Sequence, residues 1–120
     1  MSEPGAAIEA HHRDGAEVIT FRDSILLDHK VIDRIEQHLV AIVRQNPGGR
    51  VIIDFSGVQA LSSRMLSVLV NAHGELATND GTIELCNLSR TARKVFDVTH
   101  LADLFRIHED QQSALEGAGG

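Results

Sequence analysis

The chain has 120 residues, 42% of them apolar and 3% aromatic, with 17 acidic against 11 basic side chains for a formal net charge of −6. That length supports one domain with its own core. The lack of a basic cluster removes the electrostatic footprint of a nucleic-acid binder, and the absence of Trp and Tyr leaves no stacking platform for single strands.

No apolar run approaches the ~20 residues of a membrane helix. The opening "MSEPGAAIEA" lacks the basic-then-apolar layout of a secretory signal. Cys86 is the single cysteine and has no internal disulfide partner, which fits a reducing compartment. The expectation is a cytoplasmic domain over residues 8–115, with no membrane attachment and flexible ends at 1–7 and 116–120.

In chain order, Asp14-Gly15 is a turn signal between two segments of strand character, predicting a hairpin of Ile8–His12 with Glu17–Phe21. From Asp28 the period changes. Val31, Ile32, Ile35, Leu39, Ile42 and Val43 recur at three- and four-residue steps, which predicts an amphipathic helix ended by "NPGG" at 46–49. "VIIDF", 51–55, is a β-branched run of the kind that forms a central strand covered on both faces. A second helix follows the serine pair 62–63, with Met65, Leu66, Leu69, Val70, Ala72, His73 and Leu76 on its apolar side, and "NDG" at 79–81 stops it. "TIELC", 82–86, reads as a strand, Ser89–Val98 as a shorter helix, "LFRI", 104–107, as a last strand, and Gln111–Leu115 as a closing helix. A hairpin followed by alternating helix and strand predicts an α/β fold with a mostly parallel sheet and one antiparallel edge.

The residues do not point to catalysis. The seven histidines, His11, His12, His29, His38, His73, His100 and His108, form no ligand pairs at metal-site spacing, and His11 and His12 are strand neighbours facing opposite ways. "DFSGV" is not a nucleophile elbow, and "PGGR" precedes a strand rather than opening a helix, so no phosphate loop is present. Cys86, mid-strand, reads as buried and inert. The expectation is a protein that is not an enzyme and takes neither cofactor nor metal.

The remaining feature is Ser62-Ser63, at the start of the second helix in "GVQALSSRML". One serine serves as an N-cap, its oxygen accepting from an amide of the first turn. A helix N-terminus also accommodates an added phosphate, which brings about −1.5 to −2 charge without melting the helix. Arg64 is placed to pair with such a phosphate or with an acidic partner.

Three segments, "VIIDFSGVQALSSRML", "NDGTIELCNLS" and "ARKVFDVTHLADLFRI", together resemble the STAS domain family, in particular bacterial anti-sigma factor antagonists, over about Glu9 to Leu115. "DSILLDHKVIDRIEQHL" resembles the segment in which the family's first helix begins. The resemblance implies a mixed sheet with about four helices mainly on one face. It also implies a binding function: an unphosphorylated antagonist captures an anti-sigma factor, often a GHKL-type serine kinase, phosphorylation of the first serine of a D-S-S-G loop blocks capture, and a PP2C-type phosphatase reverses it. By position the acceptor is Ser62, with Ser63 the second choice. The implied contact surface is Ser56, Gly57, Leu61, Ser62, Ser63, Arg64, Met65 and Leu66. Leu61 stands where the family has Asp, Arg64 where it has Gly, and His100 where Gly is usual. The alternatives are a scaffold subunit of a stressosome-type assembly and a non-switching ligand-binding module.

Overall fold

The computed structural model describes residues 7–116. Asp14 and Gly15 both have positive φ (48° and 81°), the conformation a two-residue hairpin turn demands. They join β1 (Ile8–Arg13) to β2 (Ala16–Phe21) with Ile8 opposite Phe21 and Arg13 opposite Ala16. A two-residue strand β3 (Ile25–Leu26) leads to α1 (His29–Gln45), whose buried residues Ile32, Ile35, Leu39 and Val43 realise the predicted stripe. Asp28 caps that helix, its Oδ1 accepting from the Lys30 and Val31 amides at 2.8 and 3.2 Å. Then come β4 (Arg50–Asp54), a second two-residue strand β5 (Ala60–Leu61), α2 (Ser63–Ala77), β6 (Thr82–Cys86) and α3 (Arg90–Val98), capped by Ser89. A 3₁₀ turn at Leu101–Asp103, β7 (Arg106–His108) and α4 (Gln111–Glu116) complete the described residues.

The main sheet has the order β1-β2-β4-β6-β7, parallel throughout except for the β1–β2 edge. Strand residues alternate between two layers. Ile19, Val51, Ile53, Ile83 and Leu85 face α1, α2 and α3 in the larger core, where Phe21, Phe55, Phe96 and Phe105 form a run of ring contacts with centroids 5.2–6.4 Å apart. Ala16, Val18, Ile52 and Cys86 face the other way and are covered by Ala114 and Leu115 of α4. Three helices thus lie on one face and the short fourth on the other, which explains why "VIIDF" is apolar at consecutive positions.

The structure departs from the sequence reading in the bounds of its last strand and in two short strands. The last strand is Arg106–His108 rather than 104–107. His100, with φ 63°, ends α3, and the chain stays in a tight turn through Leu104, so that Phe105 enters the core from the turn, its amide bonded to the Leu101 carbonyl. Strands β3 and β5 were not foreseen. They pair in parallel, Ile25 with Ala60 and Leu26 with Leu61, which accounts for the long connection between β4 and α2. Of the ends expected to be flexible, only Ala7, which is buried, and Glu116, which closes α4, are among the described residues.

Candidate functional site

The serine pair sits where the β3–β5 ribbon delivers the chain to α2. After β4 the chain turns through Ser56-Gly57, where Gly57 takes φ 80° and the Val58 amide bonds the Phe55 carbonyl at 2.9 Å. The Ser24 carbonyl accepts from the Gln59 amide at 2.7 Å, and the Leu26 carbonyl accepts from the Ser62 amide at 3.1 Å. Ser62 is thereby pinned in extended conformation (φ −87°, ψ 161°), and its Oγ accepts from the Met65 amide at 3.1 Å. Ser62 is therefore the cap. Ser63 is the first helical residue and is exposed. Both hydroxyls lie at the positive end of a 15-residue helix.

Continuing the β3–β5 register brings Leu27 beside Ser62. Leu27 is 50% exposed and Ile25 is 52% exposed, while Leu26 between them is fully buried. The strand alternation that buries Leu26 pushes its two neighbours outward. The sequence reading did not include these apolar residues; the three consecutive apolar residues of "SILLD", which an extended chain cannot turn to one side together, were the signal for them. Of the predicted contact residues, Met65 and Leu66 are buried and set the helix in the core, whereas Ser56, Gly57 and Ser63 are exposed and Leu61, Ser62 and Arg64 are partly so.

Arg64 does not point outward toward a partner. Its Nη2 lies 2.5 Å from Asp33 Oδ1 and 3.6 Å from Glu36 Oε1, and its Nη1 donates to the His29 carbonyl at 3.3 Å. It ties the start of α2 to the first two turns of α1.

Behind the loop, Asp54 is buried and accepts four bonds. Ser56 donates from its amide at 2.8 Å and its hydroxyl at 2.6 Å, Asn87 Nδ2 donates at 3.0 Å, and Gln111 Nε2 donates at 2.9 Å. Burial pushes its pKa up, but the bonds from Ser56, Asn87 and Gln111 outweigh that and hold it below the usual carboxylate value. Asp54 thus joins the site loop, the residue that follows β6 and the start of α4 at one point.

A profile of the STAS domain matches residues 7–114. The chain belongs to the STAS domain family. Solved structures with the same fold include an anti-sigma factor antagonist (STAS) domain protein from Planctomyces limnophilus, at 22% identity and TM-score 0.85 over 94% of this chain and 98% of that one. An anti-sigma factor antagonist from Mycobacterium paratuberculosis matches at 22% identity and TM-score 0.82, covering both chains in full. The Bacillus cell fate determinant SpoIIAA, solved in its phosphorylated form, matches at 22% identity and TM-score 0.70 over 93% of this chain and 99% of that one.

STAS domains are regulatory rather than catalytic modules. In this one, no group of three or more His, Cys, Asp and Glu side chains is arranged to hold a metal among the described residues, and no described helix is long and apolar enough to cross a membrane. Burial, with the Asp54 and Asp110 carboxylates nearby, pushes the Cys86 thiol up to about 12, so it stays protonated and unreactive at neutral pH. His73 packs edge-on against Phe105 with ring centroids 5.1 Å apart, a core contact as its helical position suggested.

Proposed function

We propose that this STAS domain is a cytoplasmic anti-sigma factor antagonist whose capture surface is the start of α2 with the β3–β5 ribbon beside it, and that phosphorylation of Ser62 switches capture off. The observation that carries this reading is the Ser62 hydroxyl at the mouth of α2, held by its Met65 bond beside exposed Ile25 and Leu27. The partner is an anti-sigma factor of the GHKL serine-kinase type, and a PP2C-type phosphatase restores the unmodified serine. The likeness to SpoIIAA, a protein solved in a phosphorylated form, supports the same reading.

The switch follows from desolvation. Partner atoms that close over Leu27 and Ser62 remove water from the serine oxygen. A dianion there loses its hydration unless the partner supplies cations. The expected outcome is that wild-type protein retains an ATP-binding anti-sigma factor from a lysate of its source organism, and that Ser62→Asp binds the isolated factor at least tenfold more weakly, about 1.4 kcal/mol or more. Ser62→Ala separates cap from switch. It is expected to lose about 1 kcal/mol of stability in urea unfolding while binding within a few-fold of wild type and resisting modification by the factor. Equal affinity of wild type and Ser62→Asp for that factor sinks the proposal.

A further inference from the structure

We propose that Arg64 is an internal receiver for the phosphate on Ser62, leaving Asp33 and Glu36 when the phosphate arrives and so carrying the modification onto α1. This rests on the reading that Ser62 is the modified residue. The geometry behind it is the side-by-side placement of two helix N-termini. The Ser62 amide bonds the Leu26 carbonyl, Asp28 caps α1 two residues on, and Arg64 reaches the His29 carbonyl one residue further. Ser62 and the Arg64 guanidinium therefore contact the same β3–α1 junction, three residues apart along it, within the swing of an arginine side chain.

Arg64 is held where it is by weak restraints. One guanidinium serves two carboxylates, so the cluster of Arg64, Asp33 and Glu36 has a formal charge of −1. Its side chains are 35%, 55% and 42% exposed. Ion pairs this open to solvent contribute little to stability. A phosphate two residues away presents nearly twice the charge of a carboxylate and accepts the guanidinium fork bidentately. It outcompetes both carboxylates. The titratable and charged groups around the junction are Asp28 at the cap of α1, His29, Lys30, Asp33 and Glu36 on α1, and Arg64 on α2. Asp28 is occupied, with the Val31 and Lys30 amides holding its carboxylate ionised.

Phosphorylation thus has two consequences at separate places. The phosphate at the mouth of α2 is partly neutralised from within the chain. Asp33 and Glu36 lose their cation, so an acidic pair appears along α1, up to two turns from the modified serine. A partner that rests on α1 senses the modification without touching Ser62.

The test uses the full chain with phosphoserine installed at position 62 during translation, which needs no kinase, and compares it with the same chain carrying Arg64→Gln. Phosphorus NMR is expected to give a second phosphate pKa about half a unit lower with Arg64 than with Gln at that position. The backbone amide signals of Asp33 and Glu36 are expected to shift on phosphorylation in the Arg64 chain and to stay in place in the Arg64→Gln chain. An identical phosphate titration in the two chains, or Asp33 and Glu36 signals that respond equally in both, overturns the proposal. Failure of the switch itself reads differently: a partner kinase that leaves Ser62 unmodified refutes the function proposed above and leaves this phosphate–arginine result standing.

Discussion

Glu84→Ala is expected to lower the free energy of unfolding by about 3–5 kcal/mol, the usual effect of leaving a buried charge without its partner. Glu84 is 5% exposed at its side chain and lies on the α4 face of the sheet. Its two oxygens take Arg50 Nε at 2.6 Å and Arg50 Nη2 at 2.8 Å, His108 Nε2 lies 2.6 Å away, and Thr82 Oγ1 donates at 3.3 Å. Arg50 also donates to the Ala114 carbonyl, so the cluster clamps α4 to the sheet. The Arg50 guanidinium already has one buried nitrogen, Nη1, without a hydrogen-bond partner among the described residues. Removing Glu84 takes the counter-charge from that cation at 16% exposure and leaves it the Ala114 carbonyl. Urea unfolding of Glu84→Ala measures the loss, and a change below about 1 kcal/mol shows that water or local relaxation replaces the carboxylate. The pair Arg50→Met with Glu84→Leu removes both charges together and is expected to recover most of the stability.

The same cluster sets the response to acid. Burial pushes the Glu84 pKa up, but the bonds and charges of Arg50 and His108 prevail and hold it below its ordinary 4.5. A carboxyl whose folded pKa is depressed contributes its stability in full above the unfolded value. That contribution is lost as pH falls from about 4.5 through the lower folded value. Asp54 adds a second loss that begins near its own ordinary value of 3.8. A flattened acid limb is therefore expected in Glu84→Gln unfolding curves.

How much of this the sequence discloses depends on how far apart the interacting residues are. The stripe Ile32, Ile35, Leu39, Val43 is a local pattern, and the structure places it where that pattern indicates; the cap at the serine pair, which the sequence leaves open between the two, falls to Ser62. Strands β3 and β5 have two residues each, too few to show a period, and exist because their backbones pair across 35 positions of chain. Glu84 looks like a solvent-facing position in "TIELC", and nothing local supplies partners for Asp54 in a strand read as covered on both faces. Both are buried because a six-residue helix with no strong periodicity covers that face and because Arg50 and Gln111 arrive from distant segments. Arg64 misleads for a related reason. Beside two serines it reads as an outward-facing cation, and its partners sit 31 and 28 residues earlier on another helix.

Asp54→Ala is expected to cost about 3 kcal/mol and to loosen two separate places at once. Bonds to an ionised carboxylate contribute about 1.5–3 kcal/mol each net of water; this one accepts four, and their loss is offset in part because the substitution also removes the cost of burying the carboxylate. Two of the donors belong to Ser56, which turns the chain toward the capture surface, and one belongs to Gln111 at the start of α4. With the carboxylate gone, the Ser56-Gly57 turn is held mainly by the Val58–Phe55 backbone bond, and α4 by Arg50 and the packing of Ala114. Native-state hydrogen exchange is expected to show lost protection in residues 56–61 and in α4, with α1 and β4 retaining theirs. Asp54→Asn separates shape from charge: its amide nitrogen confronts the donors of Ser56, Asn87 or Gln111, so it is expected to behave nearly as badly as Ala. Gln111→Ala removes the α4 arm, together with the bond Gln111 Oε1 accepts from Arg13, and is expected to free the helix while the loop stays protected. Should the loop open as far in Gln111→Ala as in Asp54→Ala, then α4 itself supports the capture surface, and Asp54 merely passes that support along.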